Sequence, residues 1–202
     1  YPKAFGVSHK GIDVFLWRSN NAESHLDYSR YSEEVAWHEG EGVYADGIGS
    51  AKTTEYSLCF SPENTSTKEI LSRSLRRPVV ISVLGNGRSA PLLGNSMQFP
   101  KKYPKSERML SGYVEWMTRQ ISLENWYGYL DHGDILTTWD EENSSWKFRG
   151  RWGWSNSEWD PRHAVWLHFL RTGHVDSARL AEVMSRHSED VDTCHFHPLR
   201  PY

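Results

Sequence analysis

Cysteine is nearly absent from the 202 residues: only Cys59 and Cys194 occur, far apart and without CxxC spacing. This excludes a disulfide framework and argues against a cysteine-based zinc site, leaving two ordinary, mostly buried thiols as the expectation. Long apolar runs are also missing. The best, "VVISVLG" from Val79, is far short of the ~20 residues that span a bilayer, so no membrane partner is expected. The formal net charge is −3, which leaves no basic face to suggest nucleic acid. Nor is there a nucleotide signature: "GIGSAK" and "GNG" do not make GxxxxGK[ST], and "GNGRSA" is not the GxSxG elbow of a Ser-His-Asp hydrolase. "NTS" at Asn64 and "NSS" at Asn143 match the glycosylation sequon, a pattern short enough to carry little weight.

Aromatic residues are plentiful. There are 10 Trp and 10 Tyr, and eight of the Trp fall at or after position 116. Charged residues at 24% and apolar ones at 38% are ordinary for a folded chain, and the length suits one large domain or two small ones. The chain opens at Tyr1 without a signal-peptide pattern and ends at "HPLRPY", which reads as a piece of a longer protein.

Residues 1 to 60 read as β. "GIDVFLW" alternates as a half-buried strand does, and "TEYSLCF" puts Thr54, Tyr56, Leu58 and Phe60 on one face. A short helix is expected in "SPENTSTKEILSRSLRRP", ended by Pro78. A boundary falls near residues 86 to 104, where Gly, Asn and Pro accumulate. Helical periodicity follows in "SERMLSGYVEWMTRQISLENW", with Met109, Leu110, Tyr113, Val114, Met117 and Ile121 on one stripe. After a loop and a β-hairpin turning at Asn143 to Ser145 come two more helices. "SNSEWDPRHAVWLHFLRTG" has an apolar side of Ala164, Val165, Leu167 and Phe169, with Trp159 and Trp166 facing inward and Gly173 as its stop. "HVDSARLAEVMSRHSEDV" points Leu180, Val183 and Met184 inward, with Asp176 as a possible cap. A short link makes these two an antiparallel hairpin, the unit from which α/α toroids are built.

Three polar clusters stand beside these helices. "YGYLDHGDI" holds Tyr127, Tyr129, Asp131, His132 and Asp134. "RWGWSNSEWDPRH" holds Arg151, Trp152, Trp154, Asn156, Glu158, Trp159, Asp160 and His163. "DVDTCHFHP" holds Asp190, Asp192, His195 and His197. Loop Trp residues beside Asp, Glu and His suit a carbohydrate site, where an indole covers a sugar face and carboxylates take its hydroxyl hydrogens. The bland alternative is that the Trp residues pack between helices. His195-x-His197 permits a metal pair, a substrate-binding imidazole or a structural role. With no third ligand at a suitable spacing, no metal site is assigned.

"GIDVFLW", "GIGSAKTTEYSLCF" with Ala51 to Glu55 as "AKTTE", "YGYLDHGDI", and the helices from "WSNSEWDPRHAVWLHFLRTG" to "SRHSEDVDTCHFHP" together resemble the exo-rhamnogalacturonan lyase and YetA-like family. The family tends to have His where this chain has Thr54. The resemblance implies an α+β multidomain architecture. Residues 1–100 would belong to a β-sandwich and residues 101–202 to the first helix hairpins of an incomplete α/α toroid, whose helix faces would be partly uncovered.

It further implies a secreted polysaccharide lyase acting on a polysaccharide or oligosaccharide substrate that contains uronate, rhamnogalacturonan or pectin-like. Elimination needs a base, an acid and a group that offsets the substrate carboxylate. His132, Tyr129, His195 and His197 are the candidate catalytic residues, Tyr127 being an alternative acid. Tyr127, Asp131, Asp134, Arg151, Trp152, Trp154, Asn156 and Glu158 are the candidate substrate-binding ones. No cofactor is expected, with a divalent cation such as calcium left open. Two alternatives stand beside this reading. One is a glycoside hydrolase pairing Asp131 or Asp134 with Glu158 or Asp160, which asks for a carboxyl separation of ~5–5.5 or ~6.5–9.5 Å. The other is a non-catalytic carbohydrate-binding segment.

Overall fold

The computed structural model describes residues 4–16, 49–56, 60, 66–74, 98–128, 131–146 and 159–197. Strands β1 (Ala4–Ser8) and β2 (Gly11–Phe15) form an antiparallel hairpin, with Ala4 opposite Phe15 and Ser8 opposite Gly11. Its residues are exposed or at most half-buried, Val7 being 81% accessible. The expected half-buried strand in "GIDVFLW" is therefore a strand without a covered face. Segment 49–56 holds no strand, so the strand expected at "TEYSLCF" is absent from its described residues, Thr54 to Tyr56 and Phe60. Among the described residues two hairpins are the whole of the sheet structure, and no sandwich is present. "VVISVLG", Leu58 and Cys59 lie outside the described residues, while Cys194 is exposed, against the expected burial.

Helix α1 (Thr67–Ser74) begins where Ser66 accepts the Glu69 and Ile70 amides on its carbonyl, a local N-cap arrangement. Helix α2 (Pro104–Glu124) starts two residues earlier than its periodicity suggests, with Pro104 in its first turn, a position that needs no amide donor. It ends where Asn125 turns left-handed (φ 56°) and donates its N–H to the Ile121 carbonyl. Asn is one of the few side chains that tolerate this conformation.

After α2 the described residues 125–128 and 131–138 precede a second hairpin, β3 (Trp139–Asp140) and β4 (Ser145–Trp146), turning over Glu141–Ser144. Asp140 holds that turn by accepting from the Asn143 amide and side chain. Helices α3 (Pro161–Thr172) and α4 (Val175–Asp190) are joined by two residues, with Gly173 left-handed at φ 70°. Trp166 reaches Ser185 and His168 reaches Ser177, a pairing order that only antiparallel helices give.

The core lies among α2, the loop after it, α3 and α4. Val114, Met117 and Ile121 meet Trp126, Ile135, Leu136, Val165, Leu180, Ala181 and Met184. Each such large side chain contributes about 1.5–3 kcal/mol by leaving water. Around them Trp146 stands edge-on to Trp116, Trp126 and Trp139 and donates its indole N–H to Gln120. The bland reading thus holds for these indoles: they pack the second hairpin onto α2.

Several inward expectations fail. Met109, Leu110 and Tyr113 are exposed, because the described elements cover only the C-terminal half of the α2 stripe, Val114 to Ile121. Trp159 is 69% exposed; it precedes α3, which starts only at Pro161, and so does not share the helix face of half-buried Trp166. Ala164 is exposed, and its expected place in the core is taken by His168. Asp176 does not cap α4. His174 stands at the N-cap, and Asp176 pairs with Arg179 instead. Among the described residues no helix is long and apolar enough to cross a membrane.

Candidate active site

"YGYLDHGDI" is pinned to α4 by a histidine that the sequence reading did not single out. His187, 4% exposed, directs Nδ1 to the His132 carbonyl at 3.2 Å. Its Nε2 faces Asp192 at 3.4 Å and Asp134 at 3.8 Å. Burial works against protonating this imidazole. The Asp192 hydrogen bond, the Asp192 and Asp134 charges and the His132 carbonyl outweigh it and raise the pKa above the usual 6.5. The first and third polar clusters are thereby joined through one buried ring. The signal was present in the sequence: a histidine three turns into an amphipathic helix, on the same side as Leu180 and Met184.

Gly133 makes this docking possible. It has φ 103°, and a Cβ there would stand 2.6 Å from the Val183 carbonyl oxygen, closer than any side chain can approach. Asp134 is buried and also accepts its neighbour's amide, Ile135 N–H, at 2.7 Å. Its carboxylate is committed to holding the loop.

With the loop fixed, His132 and Tyr127 come together. Their rings lie 5.4 Å apart. His132 Nδ1 is 3.1 Å from the Trp126 carbonyl. A carbonyl can only accept, so Nδ1 carries the proton and Nε2 of the neutral ring keeps its lone pair. The Tyr127 hydroxyl is 3.2 Å from Ser122 Oγ on the last turn of α2, and the tyrosine is 55% exposed. Asp131 lies alongside: its Oδ1 is buried with no hydrogen-bond partner, packed where a Cβ on Gly128 would meet it at 2.7 Å.

Ser122 is also one end of a groove of about 550 Å³ running along α2. From Ser111 to Ser122 this wall is about 16 Å long. Its helix face presents Val114, Glu115, Thr118 and Arg119. Facing it are His168 and Thr172 of α3 and His174 at the start of α4. His168 Nδ1 is 2.8 Å from Ser177 Oγ and its Nε2 is 3.3 Å from Ser111 Oγ. Burial, then the nearby His174 and Arg171 charges, lower its pKa against the pull of Glu107 and Glu115, so the ring is neutral at neutral pH. Near His168, Glu107 and Arg171 form a 2.7 Å ion pair. The sequence reading missed the groove, because its residues are spread over three helices and form no local cluster.

The remaining candidates lie elsewhere. His195 is exposed, donates Nε2–H to the Glu189 carbonyl at 2.6 Å and its own amide to Gly49. It belongs to the seam between α4 and segment 49–56. His197 is half-buried near the end of that seam. In the same seam Asp190 receives Thr53 on both carboxylate oxygens, and Arg186 bridges Glu55 and Glu182. "AKTTE" is thus a strap across α4, with Thr54 Oγ1 buried and unbonded. Asp160 pairs with Arg162 at 2.9 Å. Tyr129, Arg151, Trp152, Trp154, Asn156 and Glu158 lie outside the described residues.

Residues 88–201, more than half of the chain, match the PcRGLX-like protein C-terminal alpha/alpha toroid domain. The chain belongs to this rhamnogalacturonan-lyase-like and YetA-like family, and helices α2 to α4 fall within the part that matches its α/α toroid domain. Among curated proteins it is similar to the uncharacterized protein YetA of Bacillus subtilis (strain 168), 25% identical over 209 residues. That match covers 96% of this chain and 24% of YetA, so the chain spans about a quarter of its relative's length.

Proposed function

We propose that the chain is part of a polysaccharide-processing enzyme, specifically a lyase that cleaves a uronate-containing glycan of the rhamnogalacturonan or pectin type by β-elimination. Family membership supports the glycan substrate. The observation that carries the chemistry is the His132–Tyr127 pair, whose tyrosine hydroxyl touches Ser122 of the α2 groove. His132 Nε2 takes the proton from C5 of the uronate. The C–H electrons form the C4–C5 double bond as the C4–O bond breaks, and the Tyr127 hydroxyl protonates the departing oxygen. The anchored Nδ1–H keeps the ring in the tautomer that can act as base. In this reading residues 1–100 serve a β-sandwich, residues 101–202 the toroid, and the polymeric substrate implies an extracellular place of work.

The test is the near-ultraviolet absorbance of the unsaturated uronyl product, followed with the intact protein on rhamnogalacturonan and on other uronate glycans. His132→Ala and Tyr127→Phe each lower the rate by roughly 10²–10⁴-fold. Release of reducing ends without that absorbance replaces the lyase with a hydrolase. Saturable binding without turnover makes the protein a binding module.

A further inference from the structure

The α2 wall of the groove carries a permanent cation, Arg119, without an ion pair among the described residues, and Glu115 one turn before it. Arg119 is exposed and has no ion pair or hydrogen bond among the described residues, whereas Asp176 across the groove is paired with Arg179. Arg119 stands three residues before Ser122, which brings their Cβ atoms within about 5–6 Å on one helix face. Ser122 in turn touches the Tyr127 hydroxyl, and Tyr127 packs on His132. The groove volume of about 550 Å³ falls in the ~300–1,000 Å³ range of small-ligand sites. Val114 lines the groove together with the hydroxyl-bearing Ser111, Thr118 and Thr172.

A free guanidinium in such a setting is a fork for a carboxylate on a hydroxyl-rich ligand. Resting on the lyase reading, we infer that Arg119 binds the carboxylate of the uronate that sits in this groove, beside the Tyr127–His132 pair. Pairing with the guanidinium draws charge from the carboxylate and makes the adjacent C5 proton easier for His132 to remove. The rhamnogalacturonan backbone then runs along α2, with the uronate at the Ser122 end and the following sugars toward Ser111.

The inference is tested in the intact protein by measuring D-galacturonate and D-galactose binding calorimetrically in wild type, Arg119→Gln and Arg119→Lys, alongside the elimination rate of each. Arg119 is exposed, so neither substitution disturbs packing. Wild type prefers galacturonate roughly 10-fold or more. Arg119→Gln abolishes that preference while leaving galactose binding unchanged, and it slows elimination. Arg119→Lys, which keeps the charge but not the fork, falls between. Equal binding of the two sugars by wild type, or an unchanged preference in Arg119→Gln, overturns the assignment. A galacturonate preference lost in Arg119→Gln, in a protein that never gives the unsaturated product, keeps Arg119 and removes the lyase.

Discussion

Near the turn of the α3–α4 hairpin, His168 lies between two serine hydroxyls with Arg171 and His174 close by. At the far end of the same hairpin, His187 lies between two carboxylates and a carbonyl oxygen. Both rings are buried. One is held neutral and the other is held toward its cationic form. Burial penalises the charge in both places, and only the partners differ. The neutral ring is satisfied by hydroxyls that can donate or accept. The cationic one needs acceptors at both nitrogens, and it receives them from the loop that carries His132 and from the segment after α4. The contrast shows how partners set the charge of a buried imidazole: carboxylates hold one ring toward its cationic form at the seam that positions the His132 loop, and hydroxyls leave the other neutral beside the groove.

The largest effect comes from removing the cationic partner. His187→Leu leaves the buried Asp134 carboxylate and the His132 carbonyl without their imidazole and destabilises the loop and α4 by about 2–3 kcal/mol. Amide hydrogen exchange at residues 131–136 and 183–190 reads this out, and under the proposed lyase function the elimination rate falls with it because His132 loses its mount.

A pH series separates the two ends. The raised pKa of His187 gives stability that is complete below its unfolded value and is lost as pH rises through the folded value. The lowered pKa of His168 works oppositely: stability at the turn end is lost as pH falls below the ordinary value of 6.5. Exchange at the α4 C-terminal end therefore speeds up on alkalinisation and at the turn on acidification. His187→Leu erases the first trend and keeps the second. If both ends loosen together, the contrast is wrong.

The smallest effect is at Ser111→Ala. Its hydroxyl is only partly buried, and its bond to His168 is long at 3.3 Å, so the loss is about 0.5–1 kcal/mol at the turn and none at residues 131–136.

The helices and the turns between them were legible, because each is written locally. The three-and-four spacing in α2, Gly173 at the end of α3 and the Asn143 turn are short-range signals. Which half of the α2 stripe is covered was not legible, since Met109 and Val114 look alike until neighbours arrive. The loop "YGYLDHGDI" was found as a cluster, and His132 and Tyr127 were among its candidates. The division of labour within it depends on a residue 53 positions beyond Asp134. Trp159 was misread because Pro161, not the apolar pattern, sets where α3 begins. The groove and Arg119 escaped notice because a wall assembled from three helices leaves no contiguous motif.

The strap has a consequence for the order of assembly. Ala51 donates to the Asp190 carbonyl, Gly49 accepts from His195, and Lys52 reaches back to the Leu16 carbonyl of the first hairpin. Each strap-to-α4 contact closes a circuit of about 140 residues, an entropic cost that grows only slowly with length but is met only once α4 exists to receive it. Among the described residues, this strap links the first hairpin to the helices. The helical hairpin is therefore the template and the strap a late fastening, so local opening begins there, and the β hairpin is released before the helical core unravels.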